Sequence, residues 1–309
     1  MSRLLRLRSL SRPASAAPAR GRAAAGGSHS FSARQGRTRR WAITGALVGA
    51  LGALIVAAPA RWLAAALQSA TEGHLQLADA QGSVWNGDAV LVLTAGSGAR
   101  EARALPGRVA WTLAPAGWGL GLRLGLRHDC CLNGEWVARL KPGFGSLTAA
   151  IEPGEAATGT AAPPAPRDWL GAWPAALLVG LGTPWNTLQP GGALRVVPQG
   201  LSLEWARGRF AMHGRLDVEL RDFSSRLATL PRLGSYRLSV IGDAQPGSAQ
   251  VELTTLDGAL QLSGSGSWSA SGLRLRGEAT AAEADLAALN NLLNIIGRRE
   301  GARSLLSIG

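Results

Sequence analysis

Arg215-Leu-Asp-Val-Glu-Leu220 places an apolar side chain at every second position and a charged one between them. That is the period of a β-strand with one face on a core and the other in water. The alternation recurs on both sides of it. Downstream lie Tyr236-Arg-Leu-Ser-Val240, Gln250-Val-Glu-Leu253, Ala259-Leu-Gln-Leu262 and Leu273-Arg-Leu-Arg276. Upstream lie Leu201-Ser-Leu-Glu-Trp205, Ala193-Leu-Arg-Val-Val197, Leu120-Gly-Leu-Arg-Leu-Gly-Leu126, Arg108-Val-Ala-Trp-Thr-Leu113, Ala89-Val-Leu-Val-Leu93 and Leu75-Gln-Leu77. Short alternating runs closed by glycine turns predict antiparallel strands in a sheet with one wet side. The 41 Gly and 16 Pro of this 309-residue chain suit strands and turns better than long helices. The expected fold class is therefore mainly β.

Two stretches break the period. Trp169 to Gly180 is apolar at helix-compatible spacing, and Ala281 to Ile296, closed by Gly297 with Arg298 and Arg299 behind it, is the best helix outside the N-terminal region. Residues 152–167, EPGEAATGTAAPPAPR, lack periodic apolar positions and read as a linker. It separates two expected β-rich units, 63–151 and 168–309.

At the N-terminal side, Trp41 to Ala60 is a run of 20 residues without a charge, about 30 Å as a helix and so one hydrocarbon core. Trp41 and Trp62 fall at its ends, where indole favours the headgroup boundary. Ten arginines lie between Arg3 and Arg40, whereas Arg61 alone follows closely. The positive-inside rule then predicts a single span over 41–62, with residues 1–40 a basic, disordered cytoplasmic segment and all that follows across the membrane. An apolar run this long after a 40-residue basic start favours a retained anchor over a cleaved signal peptide; an organellar transit peptide shares the Arg-rich, acid-free composition. Gly45 and Gly49 form a G-x-x-x-G pair, the spacing that lets two membrane helices approach, although Gly and Ala are common throughout the chain.

Charge argues against nucleic acid. The formal net charge is +12, but removing the ten N-terminal arginines leaves 22 cations against 20 acids, too little for a phosphate-binding face. Chemistry is equally sparse. Cys130 and Cys131 are adjacent, leaving open two buried thiols, a disulfide between neighbours or pairing with another chain. His128 makes H-x-C-C with them, a spacing unlike that of a zinc site and with no second pair downstream, so no metal is expected. No nucleophile elbow or phosphate loop is present, and no cofactor or catalytic residue is expected. Asp217, Glu219, Asp222 and Asp257 could pair in space, yet exposed strand faces ordinarily carry such residues. Among eleven tryptophans, Trp118 and Trp136 are candidates for an exposed subset.

Gly82-Ser-Val-Trp-Asn-Gly87, Gly180-Leu-Gly-Thr-Pro-Trp-Asn-Thr-Leu-Gln-Pro-Gly-Gly192, Phe223-Ser-Ser-Arg-Leu227, Leu233-Gly-Ser-Tyr-Arg237, Thr255-Leu-Asp-Gly-Ala-Leu260 and Leu292-Leu-Asn-Ile-Ile-Gly-Arg298 together resemble the type II secretion system protein N family. The resemblance implies a single-span inner-membrane accessory of the general secretion pathway, its periplasmic part working beside the inner-membrane platform proteins and the outer-membrane secretin. More loosely, the chain is similar to AsmA-like proteins, whose curved, open antiparallel sheet wraps an apolar groove; a lipid-binding or lipid-transfer role is the alternative that likeness implies. The Arg-rich start departs from the family, and no catalytic residue carries over. Within the second segment, Thr183, Pro184, Trp185 and Asn186 are the candidate partner-contact residues, because an indole between Pro184 and Pro190 is a large anchor on a stiff support; a conformational corner is the competing reading of the same loop.

Overall fold

The computed structural model describes residues 35–117, 120–154, 168–243, 247–269 and 272–309. Most of the expected basic segment and of the expected linker, and Trp118, lie outside these residues. The chain divides into two compact units, Met1–Ala53 and Leu54–Gly309.

Helix α1 spans Gln35–Val56. Its window Arg39–Val56 has a mean hydropathy of 1.3 and is the one described helix long and apolar enough to cross a membrane. Leu47, Val48 and Leu51 are each more than half exposed, an arrangement that water disfavours and lipid accepts. The helix stops before Pro59, whose ring forbids the next amide bond and pushes Ala58 out of the helical region. A second helix, α2, follows over Ala60–Ala70.

The rest of the chain builds one 16-stranded antiparallel sheet. Its strands are β1 Leu75–Gly82, β2 Asn86–Thr94, β3 Ala102–Ala104, β4 Val109–Pro115, β5 Leu122–Arg127, β6 Trp136–Gly143, β7 Ser146–Pro153 and β8 Gly171–Pro174. After these come β9 Gly191–Ala206, β10 Arg209–Ser224, β11 Gly234–Gly242, β12 Ser248–Asp257, β13 Leu260–Ser269, β14 Gly272–Ala281, β15 Arg298–Glu300 and β16 Arg303–Ile308. Neighbours follow chain order except that β16 lies between β14 and β15, while β3 and β8 pair beside β2 and β9. β7 pairs directly with β9, so the strands before and after residues 155–167 share one ladder.

One face of the long central strands is apolar. In the register, Leu203 and Trp205 of β9 stand opposite Met212 and Phe210 of β10, and Leu216, Val218 and Leu220 continue that face opposite Val240, Leu238 and Tyr236 of β11. Two bulges keep it continuous. Gly200, at φ +58°, is the extra residue in β9, and Asp222, at φ +51°, is the extra residue in β10. The second bulge returns Phe223 to the inner face although it is out of phase with Leu220.

Helix α4, Leu286–Ile296, covers the C-terminal part of that face with Leu289, Leu292 and Leu293, spaced to share one side. They close on Phe223, Leu233, Tyr236, Leu260 and Ala279. The helix begins five residues later than the sequence pattern places it: Ala281 ends β14, and Glu283–Asp285 forms a 3₁₀ turn. Likewise Trp169–Gly180 becomes β8 and a 3₁₀ stretch, Ala175–Leu181, because Pro174 interrupts any helix through it. Trp136 is buried, correcting its expected exposure, since on β6 it faces the apolar side beside Leu126 of β5.

Candidate functional site

The loop Gly182–Gly192 is folded as a corner. Gly180 enters it so close to β2 and β3 that a Cβ there would stand 2.6 Å from the Leu93 carbonyl oxygen and 3.0 Å from the Arg103 amide, so only glycine fits. The Thr183-Pro184 bond is cis, and Trp185–Leu188 forms a single helical turn, α3. Thr183 Oγ1 donates to Asn186 Oδ1 at 3.3 Å, and the Asn186 amide donates to the Gly182 carbonyl at 3.0 Å. Gln189 closes the turn at φ +44°. Thr183 and Pro184 are exposed, whereas Trp185 and Asn186 are half-buried.

The corner is stitched to the C-terminal core. Ser225 Oγ donates to the Leu188 carbonyl at 2.7 Å, and Leu188 packs on the cluster around Phe223 and Leu293. There the Phe223 and Tyr236 rings meet edge to face at 6.0 Å. The Tyr236 hydroxyl donates to the Leu260 carbonyl at 3.0 Å, and burial raises its pKa far above the ordinary tyrosine value. The Leu233 amide donates to the Phe223 carbonyl and the Leu260 amide to the Leu233 carbonyl, at 2.7 and 3.0 Å. Gly234 and Gly258 lie so close that a Cβ on either would overlap backbone of the other turn. Arg232 spans the rim, bonding Asp222 at 2.7 Å and Asp257 at 2.5 Å.

Five short segments separated by up to about a hundred residues therefore meet in one place: Gly180–Gly192, Phe223–Leu227, Leu233–Arg237, Thr255–Leu260 and Leu292–Arg298. Beside them opens a cleft of about 540 Å³ between Arg103, Pro106, Pro174, Leu177, Pro190 and Arg226. Arg103 and Arg226 are exposed, and neither forms an ion pair with a described residue.

The sixth segment acts elsewhere. Gly82-Ser-Val-Trp-Asn-Gly87 is the β1–β2 turn, and it holds the chain where α1 ends. Trp85 Nε1 donates to the Ile55 carbonyl and the Val84 amide to the Ala58 carbonyl, both at 2.9 Å, while Ser83 pairs with Pro59. Trp111 Nε1 reaches back to the Val84 carbonyl at 3.2 Å, over Gly87, where any Cβ would strike the indole. Sequence reading recorded this motif but not its clasp, because the partners lie about thirty residues upstream and show no pattern of their own.

Gly45 and Gly49 lie on α1, in the other unit, and no described atom comes within 4 Å of a Cβ built on either. The four acidic residues weighed as a carboxylate pair are held by arginine. Asp217 bonds Arg215 at 2.7 Å. Glu219, 5% exposed, bonds Arg221 and Arg237, each at 2.7 Å. Burial alone would raise its pKa, but the two guanidinium groups outweigh burial and hold it below the ordinary glutamate value.

Cys130 and Cys131, in the β5–β6 connection, are joined as a disulfide between neighbours. Cys131 is buried and Cys130 exposed. His128 is 4% exposed, and both its ring nitrogens lack a hydrogen-bond partner among the described residues.

A family model described as Type II secretion system (T2SS), protein N matches residues 73–305. No curated protein and no solved structure matches the chain.

Proposed function

The chain belongs to the type II secretion system protein N family, and on that premise we propose that it is a non-catalytic accessory of the secretion system, anchored in the inner membrane by α1 and carrying its sheet in the periplasm. The positive-inside bias around Trp41–Ala60 supports that orientation. The exposed apolar surface of α1 supports the anchor, and the small-residue face at Gly45 and Gly49 offers a packing surface for another membrane helix.

The observation that carries the reading is the convergence of those segments on one corner, where Thr183 and Pro184 are exposed, Trp185 is half-buried and the cleft opens at Gln189 and Pro190. The cleft's mixture of proline, leucine and two arginines that form no ion pair with a described residue suits an extended, acidic peptide segment of another secretion component, such as a platform protein or the secretin. The direct ties of Asp217 and Glu219 to arginine suit a structural rather than a catalytic use of those carboxylates.

Crosslinking and copurification of the full-length protein from its own membrane, with mass spectrometry of proteins and lipids, tests this. Recovery of platform proteins or secretin is expected; phospholipid without any secretion component would replace the reading with lipid handling. Trp185→Ala is expected to weaken that copurification several-fold with an unchanged circular dichroism spectrum. Unfolding instead would show that the indole serves only the corner's packing.

A further inference from the structure

Leaving an imidazole buried without a partner is costly, and such a group in a folded protein calls for a ligand, a water or a chemical role. His128 is that group, and it does not stand alone. A ring nitrogen of His128 and the sulfurs of Cys130 and Cys131 all lie within 4.8 Å of one another.

The surrounding backbone is held independently of any ligand. The Leu132 amide donates to the His128 carbonyl at 3.2 Å, the Ala172 amide to the Cys131 carbonyl at 2.8 Å and the Asn133 amide to the Leu170 carbonyl at 2.9 Å. Gly107 leaves room against the ring, since a Cβ there would rest 3.5 Å from Cε1 and Nε2. Cys131 and the neighbouring Leu105 and Leu177 form a small apolar core behind the site, and the exposed Cys130 leaves a way in.

We propose that His128, Cys130 and Cys131 form a redox-gated site for one soft, closed-shell monovalent cation of the copper(I) class. In the disulfide state the sulfurs are bonded to each other and the site is shut. An external dithiol opens it: two electrons and two protons pass to the disulfide, giving two thiols, and the dithiol becomes a disulfide. Cation binding then releases the two thiol protons to solvent and leaves two thiolates and one imidazole on the ion. Three donors, two of them sulfur, suit copper(I), whereas a structural zinc ion takes four. Adjacent cysteines fall outside the usual zinc spacings, so the sequence motif alone did not announce the site.

The test uses the full-length protein in detergent, reduced anaerobically with a phosphine, with thiol titration first confirming two thiols per chain. Titration against copper(I) buffered by bicinchoninate is expected to transfer one equivalent to the reduced protein and none to the disulfide form. Cys130→Ser, at an exposed position, and His128→Asn are each expected to weaken uptake at least tenfold. The proposal is overturned if the reduced, folded protein withdraws no copper, if Cys130→Ser withdraws it as well as the parent does, or if zinc is taken in preference. Should His128→Asn fail to fold, Cys130→Ser decides the matter.

Discussion

Strand β13 is buried at one end and bare at the other. Leu260 at its start is 2% exposed beneath α4, while Trp268 near its end is 46% exposed. Both stand on the same face of the strand, with Leu262, Gly264 and Gly266 between them. The difference is the second layer. A ten-residue strand is about 33 Å long, while the eleven residues of α4 make a helix of about 16 Å, so the helix covers one end only. At the uncovered end Phe210 of β10 reaches Trp268, two strands beyond its neighbour β11, with ring centroids 6.3 Å apart, and packs at a tilt of 57° against Trp205 at 5.0 Å. Period-two alternation thus specifies a face; under α4 a helix closes it, whereas at the other end Leu201, Met212 and Ala249 are buried by side chains of the sheet itself, Phe210 and Val240 among them.

Leu293→Ala should separate the two ends most sharply. Its side chain is fully buried among Phe223, Tyr236 and Leu260, and truncation is expected to cost about 2–5 kcal/mol, read as a fall in the urea midpoint of the full-length protein in detergent. A cost below about 1 kcal/mol would mean that the covered end is as loosely packed as the bare one.

A smaller effect is expected on the opposite, charged face, where Glu219 is nonetheless buried. Because the folded-state pKa of Glu219 lies below its ordinary value, its contribution is complete above about pH 4.5 and is lost as pH falls through the folded value. Its arginine partners are 35% and 41% exposed, so solvent screening discounts the pairs, and Glu219→Gln should cost about 1–2 kcal/mol at pH 7. Unfolding curves of both proteins from pH 7 to 3 should converge towards the acid end; a constant gap would assign the effect to packing.

Trp205→Ala should matter least, about 1 kcal/mol or less, mainly the lost contact with Phe210. A loss comparable with Leu293→Ala would show that the end without a helix is packed as tightly as the end under α4.

Much of the sheet was legible because strand alternation is local: Leu201–Trp205, Arg215–Leu220 and Leu273–Arg276 each lie within observed strands. Element boundaries were less so. Pro174 broke the expected helix, and β14 ran on to Ala281 because Leu260 of β13 pairs with it there. Of the corner, the segments were visible but their meeting was not, since Gly234 against Gly258 and Ser225 against Leu188 are contacts between turns distant in sequence. Trp136 was misread because its exposure depends on which face of β6 meets the core.

Sequence alone determined the β class, the apolar stretch suited to a membrane and the family, since each rests on residue order, composition or local period. Tertiary structure decided which part of the apolar face is covered, which acids find arginines, how the β1–β2 turn clasps Ile55 and Ala58, and that a lone buried imidazole faces two sulfurs. Those outcomes depend on distances between residues far apart in the chain, which no local pattern encodes.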